Sequence, residues 1–143
     1  MAAITMSMDN IAARYAAAVQ TNGHRVEMIT ESNIKSMLLP MFKNWIANVG
    51  GKNIPAHIYY FRDGVSEGQY SHVLEQEVMH MKRAIFEEFG NQYPGVAEIR
   101  WTVTVCTKRH HIRFFPKEND NSASDKNSNA LPGTLVEQDV THP

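Results

Sequence analysis

The stretch HIYYFRDGVSEGQY, residues 57–70, constrains the fold more than any other part of the chain. An apolar, aromatic-rich run, AHIYYF (56–61), reads as a buried strand that stops abruptly at Arg62-Asp63-Gly64. Ser66-x-x-Gln69 then has the spacing of a capping box, which starts a helix. Leu74, Val78, Met81, Ile85 and Phe89 recur at helical spacing, and Gly90 closes that helix. EIRWTVTVC (98–106) alternates, with Ile99, Trp101, Val103 and Val105 on one face of another strand.

Upstream, residues 2–9 alternate weakly and read as a strand. NIAARYAAAV (10–19) is ambiguous, because its alanines favour helix. Asn22-Gly23 is a short hairpin signal that favours strands on both sides. Ile34, Met37, Leu38, Met41, Phe42, Trp45, Ile46 and Val49 form one face of an amphipathic helix. Thr30, Ser32 or Asn33 caps it, Pro40 kinks it or shifts its start, and Gly50-Gly51 ends it. The order β–β–α–β–α–β implies an α/β layer with a mixed sheet flanked by helices. The polar stretch 117–133 reads as a mobile loop, and GTLVEQDV (133–140) as a last short strand.

With 143 residues, the chain has the length of one ordinary domain. Fourteen Lys+Arg against fifteen Asp+Glu argue against nucleic-acid binding by bulk charge, so any such binding needs a local patch. No apolar run reaches the roughly 18–20 residues of a membrane span, and no signal peptide is visible. The single cysteine, Cys106, reads as a buried structural thiol and suits a reducing compartment.

Ligands of open α/β sheets bind beyond the carboxyl ends of strands, where Asp63 lies. A carboxylate there suits Mg²⁺, a hard cation; Asp-Gly is also a common turn pair, and that reading is the more frequent. Glu27 and Glu31 each offer a second carboxylate, though solvated surface glutamates are far commoner. KRHHIR packs Lys108, Arg109, His110, His111 and Arg113 into six residues after a strand end, as a phosphate-holding patch or a solvated basic loop. Glu77-x-x-His80 has the spacing of half a di-iron site, but no second copy is apparent and a helix-surface pair is the commoner reading.

YYFRDGVSEGQY closely resembles the signature of eukaryotic Argonaute proteins, inside their Piwi domain. SMDNIAARYAAAVQTNGHRVEMI, CTKRHHIRFF and PGTLVEQDVTHP resemble further Argonaute segments, in family order and over nearly the whole chain. The resemblance implies an RNase H-like Piwi fold and cleavage of target RNA paired to a small guide RNA, with Mg²⁺ or Mn²⁺ bound among acidic residues. By resemblance, Asp63 is a catalytic, metal-binding aspartate, and Glu27 is the glutamate inserted on a loop to complete the site. Lys108, Arg109, His111 and Arg113 match the region contacting the guide backbone. RYAAAV becomes a strand despite its alanines.

The family's first catalytic strand and its C-terminal elements have no counterpart in residues 1–143, so the resemblance implies an incomplete Piwi domain with two of four catalytic positions. A site missing members of such a unit is expected to be inactive. The implied partners are guide RNA, target RNA and silencing-complex proteins, with no membrane. The implied location is cytoplasmic, with nuclear members known. The alternative is a non-catalytic RNA-binding module, or a protein-interaction or decoy module.

Overall fold

A computed structural model of the chain describes residues 1–24, 26–108, 110–117 and 122–138. It divides into two compact units, Met1–Lys108 and Arg109–Pro143. In the first, β1 (Ala2–Ser7) pairs antiparallel with β2 (Tyr15–Gln20), in register from Ala2↔Gln20 to Ser7↔Tyr15. The connection is closed by the Met8 N–H donating to the Arg14 carbonyl at 2.7 Å. The Asp9 carboxylate accepts from the N–H groups of Ala13 and Arg14 at 2.9 and 3.0 Å. The hairpin therefore turns at residues 8–14, not at Asn22-Gly23 as the sequence suggested. Pairing with β1, and packing of Ala16 and Ala18 against the core, override the helical preference of the alanines.

Asn22-Gly23 instead opens a loop. Gly23 takes a φ of +82°, and the buried Asn22 side chain donates to the carbonyls of Val26 (3.1 Å) and Met28 (2.7 Å). Its Oδ1 accepts from the Thr30 N–H and from Asn33 Nδ2. The loop thus feeds straight into α1 (Glu31–Asn48), whose first turn is capped by the Thr30 hydroxyl. The helix runs through Pro40 and buries Ile34, Met37, Leu38, Met41, Phe42 and Ile46. It ends where the N–H groups of Val49 and Gly50 both reach the Trp45 carbonyl. A Cβ on Gly50 would lie 2.3 Å from the Asn53 carbonyl oxygen, so only glycine fits that close approach.

β3 (His57–Asp63) and β4 (Arg100–Cys106) are parallel, in register from His57↔Arg100 to Asp63↔Cys106. The crossover between them is helical over residues 67–89. It begins as a 3-10 turn, Glu67–Gln69, where the Gln69 side chain reaches back to the Ser66 N–H at 3.2 Å. It continues through α2 (Tyr70–His72), a π turn at Val73–Val78, and α3 (Met79–Phe89). A π turn widens the helix to accommodate one extra residue. That shifts the apolar stripe: Val78, Met81, Ile85 and Phe89 are buried as expected, but Val73 replaces Leu74. Val73 is 0% exposed and Leu74 52%.

One core cluster joins Ile4 of β1, the buried face of α1, Met81, Ile85 and Phe89 of α3, and Val96 and Ile99. Its central aromatic contact is Phe42 on Phe89, with ring centroids 5.3 Å apart. Val65, Val73 and Val78 form a smaller cluster under the ends of β3 and β4.

The element order is the one the sequence implies, with antiparallel and parallel pairing both present. Among the described residues, however, hydrogen bonding divides the strands into two pairs, β1–β2 and β3–β4. β3 is half-buried rather than buried, because Tyr59 and Phe61 face outward. Cys106 is exposed, not buried. No described helix is long and apolar enough to cross a membrane.

In the second unit, the expected loop 117–133 is described at residue 117 and over 122–133. There, Ser124 bridges Ala130 around a turn in which Asp125 accepts from the N–H groups of Asn127 and Asn129. The expected last strand, 133–140, shows no strand over 133–138; its remainder lies outside the described residues.

The π-turn register makes a direct prediction. Val73→Ala should lower unfolding free energy by about 2 kcal/mol, from lost burial plus a cavity. Leu74→Ala should change it by less than about 0.5 kcal/mol. Urea denaturation of the two variants, followed by circular dichroism, distinguishes this register from an uninterrupted α-helix, in which the order would reverse.

Candidate functional site

The carboxyl ends of two parallel strands lie side by side at Asp63 and Cys106. Two residues beyond Cys106, Lys108 turns its ammonium onto the Asp63 carboxylate, Nζ to Oδ2 at 2.6 Å. Register explains the meeting: parallel strands in step deliver both residues to one end of the pair. Hydrogen bonding to Lys108 holds the Asp63 carboxyl below the usual aspartate range, and Asp63 in turn raises Lys108. Both side chains are well exposed, so the pair is a solvated one, screened by salt.

Behind Asp63 lies a buried arrangement of a different kind. Glu77, on the π turn, is completely buried. Its carboxylate accepts from Arg62 Nε at 2.8 Å and from a terminal Arg62 nitrogen at 2.9 Å, a two-pronged contact. It also accepts from the Tyr60 hydroxyl at 2.9 Å and from the Ile29 N–H at 2.7 Å. The strand's period of two explains why Tyr60 and Arg62 point together into this region. Burial, then the neighbouring Glu77 charge, pushes the Tyr60 phenol above its ordinary value. Hydrogen bonding to Glu77 raises Arg62.

The remaining Arg62 donors reach the loop and the strand end. One terminal nitrogen donates to the Glu27 carbonyl at 2.7 Å, and the other to the Asp63 carbonyl. The main chains of Asp63 and Glu27 thus contact one guanidinium. The Glu27 side chain itself is exposed. At the helix start, the Tyr70 hydroxyl meets Thr107 Oγ1 at 2.8 Å and ties the crossover to the residue after β4.

The basic cluster divides between the units. Lys108 belongs to the first, beside Asp63. Arg109 lies outside the described residues. His111 and Arg113 belong to the second unit, where one Arg113 nitrogen donates to the carbonyls of His110 (2.8 Å) and Ile112 (2.7 Å). Glu31, the other early carboxylate, pairs with Lys35 and Arg83 on the outer side of α1 and α3.

Glu77 was missed as a site residue, because Glu77-x-x-His80 suggested a surface pair. The available signal was the pair of valines at its π-turn ends, Val73 and Val78, together with one arginine in an aromatic strand. Among the described residues, no group of three or more His, Cys, Asp or Glu side chains is placed to hold a metal ion. With Asp63 engaged by Lys108, these residues do not by themselves fit a divalent-metal centre.

The Piwi domain family model matches residues 1–143. The chain is 38% identical to "Protein argonaute 3" of Oryza sativa subsp. japonica and 35% identical to "Protein argonaute" of Schizosaccharomyces pombe. All of this chain is matched in each case, against 12% and 16% of those proteins. It therefore spans about an eighth to a sixth of their length. The structure resembles that of Kluyveromyces polysporus Argonaute with a guide RNA, with a TM-score of 0.66 and 28% identity. That match covers 90% of this chain and 14% of the other. It also resembles the C-terminal lobe of a budding yeast Argonaute, with a TM-score of 0.63 and 31% identity over 90% of this chain and 26% of the other.

The Asp63–Lys108 pair sets a pH window. Asp63 is lowered from 3.8, so its contribution is present at neutral pH and is lost as pH falls through its folded-state value. Lys108 is raised from 10.5, so its contribution persists through neutral pH and is lost as pH rises through its folded-state value. Carboxyl ¹³C shifts should titrate with a midpoint below 3.8 for Asp63, returning toward 3.8 in Lys108→Ala. An unchanged midpoint in that variant would show that Lys108 is not the cause.

Proposed function

Because the chain belongs to the Piwi-domain family, with Argonaute relatives, we propose that it is the part of a small-RNA-guided RNA-binding and RNA-cleaving domain that carries two acidic site residues and a phosphate-facing cation. Asp63 and Glu27 are the acidic residues; Lys108, Arg109, His111 and Arg113 are the guide-facing basic ones. The observation that carries this reading is the shared anchoring of the Glu27 and Asp63 main chains on Arg62, at the carboxyl end of a parallel strand pair. Open α/β sheets place their ligand sites at that end.

The longer protein's partners would be a small guide RNA, its complementary target and silencing-complex proteins, in the cytoplasm or nucleus. Its divalent ion, Mg²⁺ or Mn²⁺, would need acidic residues beyond those described here. Residues 1–143 alone are then an RNA-binding, non-cleaving segment. Lys108 supports that division of roles, since an exposed ammonium beside a carboxylate can exchange that partner for a phosphate.

A second reading, a protein-interaction module, draws on one observation: Tyr59 and Phe61 are exposed in a row on β3. Self-association insensitive to salt in analytical ultracentrifugation, abolished in Tyr59→Ser/Phe61→Ser, would favour it.

Labelled guide-length RNA should bind the 143-residue chain with an affinity that falls as salt rises. Lys108→Ala should reduce the log–log salt slope by about 0.7–0.9, one phosphate contact. No cleavage of a guide–target duplex should occur with Mg²⁺ or Mn²⁺. Salt-independent binding, or cleavage abolished by Asp63→Ala, would contradict this assignment of roles.

A further inference from the structure

We propose that the second unit carries a binding site for an unpaired RNA nucleotide, with Phe114 and Phe115 stacking on its base and Arg113 holding its phosphate. This rests on the RNA-binding reading above and adds what that reading lacks, a contact to the base rather than to the backbone.

The unit opens with RHHIRFFPK (109–117), which holds three Lys or Arg and no Asp or Glu. Two phenylalanines directly follow Arg113. A run of cations and aromatic rings without an acid attracts a polyanion that also presents flat apolar rings, which is the chemistry of a nucleic acid.

The two rings contribute little to packing. Phe115 is 87% exposed and Phe114 49%. Apolar surface left open in this way marks a contact. Both rings line an open cavity of about 450 Å³, together with Arg113, Pro116, Leu131 and Val136. That volume lies within the roughly 300–1,000 Å³ of ligand clefts. The wall opposite the phenylalanines is held by its own main chain. Asp125 accepts from the N–H groups of Asn127 and Asn129, and Ser124 bridges Ala130. The Leu131 carbonyl then accepts from the Thr134 N–H at 3.1 Å and from its hydroxyl at 2.7 Å. The cavity is therefore formed before any ligand enters, which lowers the ordering cost of binding.

Arg113 is aimed by the chain around it. One terminal nitrogen donates to the carbonyls of His110 and Ile112 at 2.8 and 2.7 Å. Its Nε and its other terminal nitrogen have no partner among the described residues, and no described carboxylate pairs with it. A guanidinium fixed on one side and open on the other suits a phosphate. The rings beside it suit a base, since every base has a π face. Bases in a duplex are stacked on one another and out of reach, so the site selects an unpaired nucleotide.

Fluorescence anisotropy on the full 143-residue chain tests this with two labelled single-stranded oligoribonucleotides of equal length, one ordinary and one abasic throughout. The ordinary strand should bind at least about fivefold tighter, the low end for one stacked base. Phe115→Leu should erase most of that preference, and Phe114→Leu/Phe115→Leu all of it, with the log–log salt slope unchanged for either strand. Phe115 has almost no packing to lose, so its variant keeps the fold; circular dichroism checks the double variant. Arg113→Gln should instead lower the salt slope by about 0.7 for both strands, one phosphate contact. A preference retained in Phe115→Leu and in the folded double variant would overturn the proposal. Salt-dependent binding with equal affinity for both strands would overturn it too, leaving the RNA-binding reading in place and the rings as a surface for apolar protein contact. No binding of either strand would overturn that reading and this site together.

Discussion

The salt bridge between Arg62 and Glu77 is where the parts of the first unit come into registry. A fully buried carboxylate is tolerated only when its lone pairs are occupied, and here four donors occupy them. The donors come from two places in the chain, the loop before α1 and the strand β3, and the carboxylate that receives them comes from a third, the π turn of the crossover. The core cluster packs β1, α1 and α3 against one another, but Glu27 of the loop before α1 and the end of β3 lie beyond it. The ion pair fixes the loop, the end of β3 and the π turn against one another, because a two-pronged contact to a fully buried carboxylate admits little sliding.

The rest of the unit can be understood from that point outward. The π turn exchanges Val73 for Leu74 on the inner face while carrying Glu77 to the end of β3. β3 and β4 run in step, so the residues that follow them emerge together, and Asp63 meets Lys108. The contrast between the two ion pairs is instructive. Arg62–Glu77 is largely buried and held on two atoms, suited to holding a shape. Asp63–Lys108 is wet and exchangeable, suited to a surface that receives charged ligands.

Much of the fold was legible because its signals are local. The stripe from Ile34 to Ile46 is a one-dimensional pattern, and α1 buries it as read. Ser66 and Gln69 mark a helix start by spacing, and β4 alternates as read. Misreadings occurred where a local preference met a tertiary one. Asn22-Gly23 has the composition of a hairpin turn, yet Asn22 is spent on tying a loop to α1, and the hairpin turns at Asp9 instead. Leu74 fits an α-helical stripe, but the stripe's period changes inside a π turn, which spacing rules do not foresee. Cys106 lies in an apolar run but at its solvent-facing end.

The sequence by itself determined the order of elements, the apolar faces of α1 and α3, the acidic residue at the end of β3 and the family whose motifs the chain carries. These follow from spacing, propensity and motif, which need no knowledge of distant contacts. Tertiary structure alone decided that Glu77 is a buried anchor rather than a surface residue, that Arg62 holds the main chains of Glu27 and Asp63, and that Lys108 covers the Asp63 carboxylate. Apart from the contact between the neighbours Arg62 and Asp63, those pairings join residues 15 to 48 positions apart, and only packing reveals which distant charges share a buried interior and which share the solvent.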